Sequence, residues 1–225
     1  MQNSFYISEP FLFAPGLDST DDWKLWAQNK KEISIEKTAP ALSYTDPLFR
    51  RRLSQLSRMT VDVVHNLLES TKIDSNTKIV FVSFRGEIDR EFKINKSIIE
   101  DEMILPAGFS LSVFNAPIAL ATIACGLKAG YNCIFPSYDN FRDGLLCAVS
   151  SVLSENLDKL IFVYGDEMIP AEYEKVVTET KPPVAFSVII SKDKIQNTNS
   201  VKYELEDICQ NVYDFIRLHI NKCYN

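Results

Sequence analysis

The sequence predicts an α/β layered domain with a mostly parallel central sheet flanked by helices. Short runs of β-branched and aromatic residues, typical of buried strands, alternate along the chain with segments whose apolar residues recur at helical spacing. Such an alternation favours helical crossovers that cover a parallel sheet. The chain has 225 residues, of which 46% are hydrophobic, and is therefore long enough for one sizeable core. We predict a single domain over residues 1–225.

The first two predicted helices start at recognisable caps. Thr20 stands before Trp23 and Trp26, whose spacing indicates a short N-capped helix. Asp46, followed by a proline, predicts the start of a long amphipathic helix at about residues 47–70. Beyond this helix, the predicted strands are 78–84, 131–135, 159–164 and 184–190. The other predicted helices are one from the turn at 85–87 to about 102, one over 116–125, one through 145–153, and one that starts at about 203 and closes the chain.

One predicted helix is apolar on every side. Asn115 and the proline at 117 provide its start, and Gly126 ends it. The residues between them are small or aliphatic, and a helix without a polar face is normally buried all round. The preceding run, 109–114, is too short to form a helix of its own.

The net charge and the lack of a signal-peptide or membrane-span pattern narrow the possible functions and locations. Lys and Arg number 24 against 30 Asp and Glu, and the resulting net charge of −6 disfavours nucleic acid or an anionic membrane as partner. No basic region followed by an apolar run begins the sequence, and nowhere do about 18 uncharged apolar residues follow one another. These features predict a cytoplasmic protein with no integral membrane segment.

Metal, disulfide and phosphate-loop chemistry have little support. The five cysteines are an odd number and form no CxxC pair, which makes a disulfide scaffold or a zinc site improbable. His65 and His219 are the only histidines, so catalysis that needs several imidazoles is nearly excluded. No glycine pattern of the GxGxxG or GxxxxGK type occurs, so a dinucleotide or P-loop enzyme is not indicated.

The turn after the predicted strand 131–135 offers one candidate nucleophile. Ser137 stands where helix-terminal N–H groups could hold an oxyanion. It lacks a GxSxG pattern and has no histidine near it in the sequence, so capping of the next helix by Ser137 or Asp139 is the simpler interpretation. An independent acyltransferase or thioesterase that uses Ser137 or Cys133 remains the alternative.

A run of basic side chains offers a candidate docking site. Four guanidinium groups fall within nine residues of this acidic protein, at Arg50, Arg51, Arg52 and Arg58. Together they could form an anion patch, but a plain solvated helix face is the simpler explanation.

Five segments between about residues 10 and 170 occur in a characteristic order: 14–17 with the two tryptophans, 50–59, 82–87, 109–116 and 163–167. Together they resemble the β-ketoacyl synthase-like N-terminal domain family, and in particular the chain length factor-like subunits of aryl polyene type. The resemblance implies a thiolase-like α/β layered fold, of which this chain carries the N-terminal half only.

The resemblance also implies the absence of the ketosynthase nucleophile. Aligned on Asn115 and Gly126, the chain has Tyr138 at or next to the position of the nucleophilic cysteine, and Cys133 comes too early. By resemblance, the chain is expected to be a noncatalytic subunit without a cofactor, whose substrate is presented on the phosphopantetheine of an acyl carrier protein.

The partners implied by the resemblance are a β-ketoacyl synthase subunit, bound as a heterodimer, and an acyl carrier protein. In type II polyketide or fatty-acid-like biosynthesis, the acyl tunnel would run along the heterodimer interface. Phe114 would close that tunnel, although the aromatics could equally be plain dimer core. The four arginines could dock the carrier protein, and a chain that serves only as such a docking module is a further alternative function. The implied tunnel and interface residues are Phe109, Ser112, Phe114, Asn115 and Tyr138.

Overall fold

A computed structural model describes residues 4–71, 73–103, 106–137, 140–154, 157–173, 181–196 and 198–224. Within these residues the strands are β1 (Ser4–Ser8), β2 (Phe11–Phe13), β3 (Ile79–Val82), β4 (Tyr131–Ile134), β5 (Lys159–Asp166), β6 (Val184–Ser191) and β7 (Ser200–Glu204). The helices are α1 (Thr20–Ala27), α2 (Pro47–Arg50), α3 (Gln55–Thr71), α4 (Ile88–Asp101), α5 (Pro106–Phe109), α6 (Ala116–Cys125), α7 (Phe141–Ser154) and α8 (Val212–Tyr224), with short 3-10 helices at Ala171–Tyr173 and Leu205–Asp207.

The described strands form one sheet in the order β4-β3-β5-β6-β1-β7, and β2 also pairs with β6. The pairs β3–β4 and β3–β5 are parallel, whereas every pair made by β6 and the pair β1–β7 are antiparallel. The α/β layered class is therefore confirmed, but the sheet is mixed rather than mostly parallel. β6 runs back along the whole of β5, with Lys159 opposite Ser191 and Asp166 opposite Val184, and an antiparallel neighbour of this kind needs no helical crossover.

Helices cover both faces of the sheet. On one face α1, α7 and α8 enclose a core rich in aromatic rings, where Phe141 lies 5.1 Å from Phe215 and 6.0 Å from Phe162 between ring centroids. On the other face α3 and α6 pack on the sheet through fully buried aliphatic side chains such as Leu56 and Ile118. Burial of the strands on both sides explains why β5 and β6 read as continuous apolar runs.

Several element boundaries differ from the sequence prediction. The predicted helix 47–70 is two helices, α2 and α3, because the Ser54 hydroxyl accepts the Ser57 backbone N–H (2.9 Å) and so starts α3 afresh. The N-cap of α1 is Ser19 rather than Thr20. The closing helix begins at Val212 and not near 203, where β7 lies instead.

Helix α6 is not buried all round as predicted. Ile118 and Ala121 are fully buried, since α6 packs against α3 on that side. Ile123, on the opposite side, keeps 71% of its surface exposed. The helix therefore leaves apolar surface uncovered, although its predicted C-terminal Gly126 adopts the expected left-handed conformation (φ +68°).

Two further observations concern membranes and metals. Within the described ranges, no helix combines the length and the apolar character that crossing a bilayer requires. The same residues bring together no group of three or more His, Cys, Asp or Glu side chains that could hold a metal ion. All five cysteines have free thiols.

His219 on α8 is buried against β1 and β7. Its Nε2 donates to the Ser8 carbonyl (2.8 Å), and its Nδ1 accepts from the Tyr203 hydroxyl (2.9 Å). Burial lowers the pKa of His219 from 6.5 to about 4. Between pH 6.5 and pH 4, His219 is therefore protonated in the unfolded chain but neutral in the native protein. The free energy of unfolding consequently falls as the pH drops from 6.5 towards 4.

We expect the titration of His219 to lower the free energy of unfolding by about 2–3 kcal/mol between pH 7 and pH 4.5. The measurement is urea unfolding at both pH values for the wild type and for His219→Gln, which has no titrating group at that position. The wild type should lose about 2–3 kcal/mol more than the variant. Equal losses in the two proteins would show that His219 does not titrate as described.

Candidate functional site

The carboxyl ends of β3, β4 and β5 meet at one edge of the sheet because these three strands are parallel. The chain leaves these strands at Ser83, Phe135 and Glu167. In α/β sheets this edge is where ligand sites usually form, since the loops there converge. Five buried polar side chains of the described residues cluster around this edge of the sheet. They are Ser57, Ser83, Glu87, Asp166 and Glu167.

Asp166, at the end of β5, holds the turn that follows β3. One oxygen of its buried carboxylate accepts the Ser83 hydroxyl (2.8 Å) and the backbone N–H groups of Phe84 and Arg85 (3.0 Å each). The other oxygen accepts the Tyr164 hydroxyl (2.6 Å). Four donors on one carboxylate fix the backbone of residues 83–86 against β5.

Glu87 ties the same turn to the start of α3. Its side chain is fully buried, and one oxygen accepts the hydroxyls of Ser54 (2.7 Å) and Ser57 (2.5 Å). The other oxygen accepts Nε of Arg90 (3.1 Å), which forms an ion pair with it. A negative charge at this place is favoured by the partial positive charge of the α3 N-terminus.

Glu167 lies beside this pair and is also buried. It accepts the backbone N–H groups of Leu56 (3.3 Å) and Asp89 (3.0 Å), one from each of the helices α3 and α4. Burial, together with the nearby charge of Glu87, outweighs these two hydrogen bonds and raises the pKa of Glu167 from 4.5 to about 8. The Glu167 carboxyl is therefore mostly protonated at neutral pH, which relieves its repulsion with Glu87.

These three acids are not among the site residues that the sequence predicts. The available signal was their position: Glu87 closes the turn that follows β3, and Asp166 and Glu167 come at the end of the apolar run of β5. A charged residue next to such a run is often buried and then needs partners. In this protein many of the partners are backbone amides, which the sequence pattern does not reveal.

The predicted gate residue Phe114 lies directly above this turn. Its ring packs against Phe81 of β3 (6.3 Å between centroids) and edge-on against Phe135 (5.6 Å), which follows β4. Gly86 has a φ of +56°, and a Cβ at that position would come within 2.7 Å of the Phe114 ring. The glycine therefore provides the space behind the ring as well as the left-handed turn.

The other predicted tunnel and interface residues occupy the segment leading to Phe114. Phe109 is 57% exposed at the end of α5, and Ser112 donates its hydroxyl hydrogen to the Phe109 carbonyl (2.9 Å). Asn115 precedes α6 but its side chain makes no cap there, since its Nδ2 donates to the Tyr131 hydroxyl (3.0 Å) on β4. Tyr138 lies outside the described residues.

The four arginines do not form one exposed patch. Arg50 donates from Nη1 to the Leu42 carbonyl (2.8 Å), and Arg58 donates from Nη2 to the Arg50 carbonyl (2.9 Å). These two guanidinium groups therefore connect the segments around α2. Arg51 and Arg52 are exposed and supply the accessible charge of this cluster.

Among the described residues, neither candidate nucleophile has an activating group beside it. Burial raises the pKa of the Cys133 thiol to about 11, which disfavours the reactive thiolate. Ser137 is exposed, and its backbone carbonyl accepts the Asn140 N–H (3.0 Å) as part of the turn before α7. Of the two imidazoles, His65 stacks on Tyr44 (3.7 Å between ring centroids) and His219 is bound at the β1–β7 end.

Comparison with protein families gives a decisive match. The model of the family described as "Beta-ketoacyl synthase, N-terminal domain" matches residues 23–213. This chain belongs to the β-ketoacyl synthase N-terminal domain family. The resemblance found in the sequence is thereby confirmed, whereas a comparison with curated proteins gives no match.

Solved structures of ketosynthase and chain length factor complexes contain chains similar to this family member. A chain in the complex of the ketosynthase ApeO with its chain length factor ApeC from Xenorhabdus doucetiae is 26% identical, with a TM-score of 0.73 over 85% of this chain and 80% of that chain. The two chains are therefore of nearly equal length.

Two more distant structures share the fold. The ishigamide ketosynthase/chain length factor is 12% identical (TM-score 0.67, covering 84% of this chain and 62% of that chain). AntDE:AntF, an acyl carrier protein of a type II polyketide synthase in complex with its ketosynthase, is 14% identical (TM-score 0.63, 85% and 64%). This family member spans less than two thirds of those two chains, and the likeness confirms the ketosynthase, thiolase-like fold.

Proposed function

We propose that this chain is a noncatalytic, chain length factor-like subunit that pairs with a β-ketoacyl synthase. The pair would act in type II polyketide or fatty-acid-like biosynthesis of aryl polyene type, on substrates carried by an acyl carrier protein. The observation that carries the proposal is an uncovered apolar surface beside the edge strand β4, continuous with the Phe114 ring. The match to a chain of similar length in a ketosynthase–chain length factor complex supports it.

The β4 surface has the properties of a protein interface. β4 is the last strand on its side of the sheet, so among the described strands its outer edge has no partner. Phe135 (65% exposed) follows β4 directly, Val113 (48%) precedes Phe114 in the chain, and Ile123 (71%) lies on the uncovered side of α6. Exposed apolar side chains next to an open strand edge fit a protein partner better than solvent. The proposed partner surface therefore consists of β4 and these three side chains.

The proposed role of Phe114 is to close the acyl tunnel at this surface. Its ring touches Phe135 on the surface and Phe81 in the core, so it connects the interface with the interior. The Asp166 hydrogen bonds hold the turn that carries Gly86, which contacts the ring from behind. A stiff ring with fixed support resists displacement by an extending chain better than a flexible side chain would.

No catalytic step is assigned to this chain. The high pKa of Cys133 and the separate positions of both imidazoles argue against the alternative, an acyltransferase or thioesterase using Ser137 or Cys133. The proposal requires no cofactor, because the acyl group would arrive on phosphopantetheine. A carrier-protein docking role would depend on Arg51 and Arg52, which are the exposed members of the arginine cluster.

Co-expression with a ketosynthase from the same pathway tests the proposal. We expect the two chains to co-elute as a stable pair by size-exclusion chromatography with light scattering. Ile123→Asp or Phe135→Asp should lower recovery of the pair at least tenfold, because each would bury an unpaired charge. The matched control is Leu48→Asp on α2, where the side chain is 65% exposed and lies outside the proposed partner surface.

A monodisperse wild-type monomer without affinity for any ketosynthase of the pathway would refute the proposal. Equal recovery of the Ile123→Asp, Phe135→Asp and Leu48→Asp pairs would show that the partner binds elsewhere.

A further inference from the structure

A cavity of about 480 Å³ lies between α1, the loop that comes after it and the beginning of α8. We refer to it as the α1–α8 cavity. Trp26, Ile33 and Ile35 line one side, and Tyr213 and Arg217 line the other. Its volume falls in the range of small-molecule sites. None of the residues assigned above to the tunnel, the partner surface or the arginine cluster lines it.

Arg217 is the distinctive side chain of this cavity. Its guanidinium carbon lies 4.7 Å from the Trp26 ring centroid, which is the geometry of a cation–π stack. Its Nε is buried and has no hydrogen-bond partner, and no ion pair within the described residues includes Arg217. An unpaired buried donor is unfavourable, so a group that accepts from this guanidinium would be stabilised.

Three other polar residues of the cavity already have partners. Lys31 forms an ion pair with Asp22 (2.6 Å). The Tyr213 hydroxyl donates to the Pro182 carbonyl (2.7 Å), and the Asn211 side chain accepts the Tyr213 N–H (2.8 Å) at the start of α8. Lys31 and Arg217 are the cations of this lining, and because Lys31 is paired with Asp22, the Arg217 guanidinium is the cation left to receive an anionic ligand.

The charges and shape of the walls define the ligand class. A guanidinium that stacks with its face on a ring leaves its edge free. The N–H groups along this edge lie in one plane and match the two oxygens of a carboxylate. Glu32 and Asp214 also line the cavity and would oppose a ligand with several negative charges. Ile33 and Ile35 offer apolar contact. Among anions, a single carboxylate joined to an apolar body meets the least repulsion from these two acids and can still pair with Arg217.

We propose that the α1–α8 cavity binds an organic monocarboxylate, with its carboxylate on the Arg217 guanidinium and its apolar body against Ile33 and Ile35. The site is independent of the proposed ketosynthase pairing, since it shares no residue with the partner surface. It would let the protein sense or retain a free organic acid while the β4 surface is occupied.

Octanoate is a suitable probe, because the emission of Trp26 reports directly on the cavity. We expect a saturable change in tryptophan emission of the full chain with an apparent Kd below about 1 mM. Octanamide, which has the same length but no charge, should bind at least tenfold more weakly. Arg217→Met and Arg217→Lys should each weaken octanoate binding at least tenfold, because neither retains the planar fork.

Two further variants keep the result decisive. Arg142→Met on α7 removes an arginine elsewhere and should leave the octanoate Kd within twofold of the wild type. Ile35→Glu changes an exposed residue at the cavity and should weaken binding at least fivefold, even if a variant of Arg217 fails to fold. Absence of saturable binding, equal binding of octanamide, or unchanged binding by Ile35→Glu would overturn the proposal.

Discussion

Phe114→Ala should lengthen the products of the reconstituted pair by at least one extension unit. The substitution removes a ring that packs between Phe81 in the core and Phe135 at the surface. The space it leaves opens towards the proposed partner surface, because Phe135 is 65% exposed. An acyl chain that stops against the ring would then extend into the vacated volume.

Mass spectrometry of the released products measures this effect. The matched control is Phe92→Ala, which removes a ring on α4 that packs against Tyr173 and not against Phe114. We expect the control to give products of wild-type length. Unchanged product length with Phe114→Ala would reject this residue as the gate, without affecting the proposed pairing.

Asp166→Ala should destabilise the protein by about 3–5 kcal/mol. The substitution removes the Asp166 acceptor from four donors: two hydroxyls, from Ser83 and Tyr164, and the backbone N–H groups of Phe84 and Arg85. Of these, the Arg85 N–H keeps a longer bond to the Ser83 hydroxyl oxygen (3.3 Å). Each is at least partly buried, and an unsatisfied buried donor costs about 1–3 kcal/mol. Asp166→Asn, which keeps the shape and one acceptor oxygen, should cost less.

Urea unfolding at pH 7 gives the free energies, with Asp193→Ala as the control for loss of an exposed carboxylate. We expect that control to stay within about 0.5 kcal/mol of the wild type. A loss below about 1 kcal/mol for Asp166→Ala would mean that the turn after β3 is not held as described.

Local signals in the sequence were sufficient for much of the fold. Asp46 caps α2 as predicted, accepting the backbone N–H groups of Leu48 and Phe49. Gly126 ends α6, and the apolar runs at β3 and β5 lie in the sheet. Each of these features depends on residues within one turn or one strand, where cap chemistry and periodicity act.

Long-range pairing explains what the sequence did not predict. β1 pairs with both β6 and β7, so Phe5 lies opposite Tyr203, nearly the whole chain away. β7 has only one fully buried side chain, Tyr203, and so carries little of the alternation that marks a strand. The mixed character of the sheet results from the antiparallel pairs that β1 and β6 make.

The residues of the candidate site also fall into two groups, those that the sequence indicates and those whose roles depend on distant segments. Phe114 and Asn115 could be singled out through the family resemblance, and both lie beside β3 and β4. Asp166, Glu87 and Glu167 lie in two of the segments that carry the resemblance, but their roles depend on backbone amides and hydroxyls contributed by distant segments, which the sequence pattern does not reveal. The bond from Arg50 to the Leu42 carbonyl likewise depends on a segment that the run of basic residues does not reveal.

Intact-protein mass spectrometry of the co-purified pair after incubation with an acyl thioester tests the noncatalytic role most directly. We predict an acyl adduct on the ketosynthase and an unmodified mass for this chain, because the pKa of Cys133 is about 11 and Ser137 has no identified base. An acyl adduct on this chain, lost on Ser137→Ala or Cys133→Ala, would contradict the noncatalytic role and establish an enzyme instead.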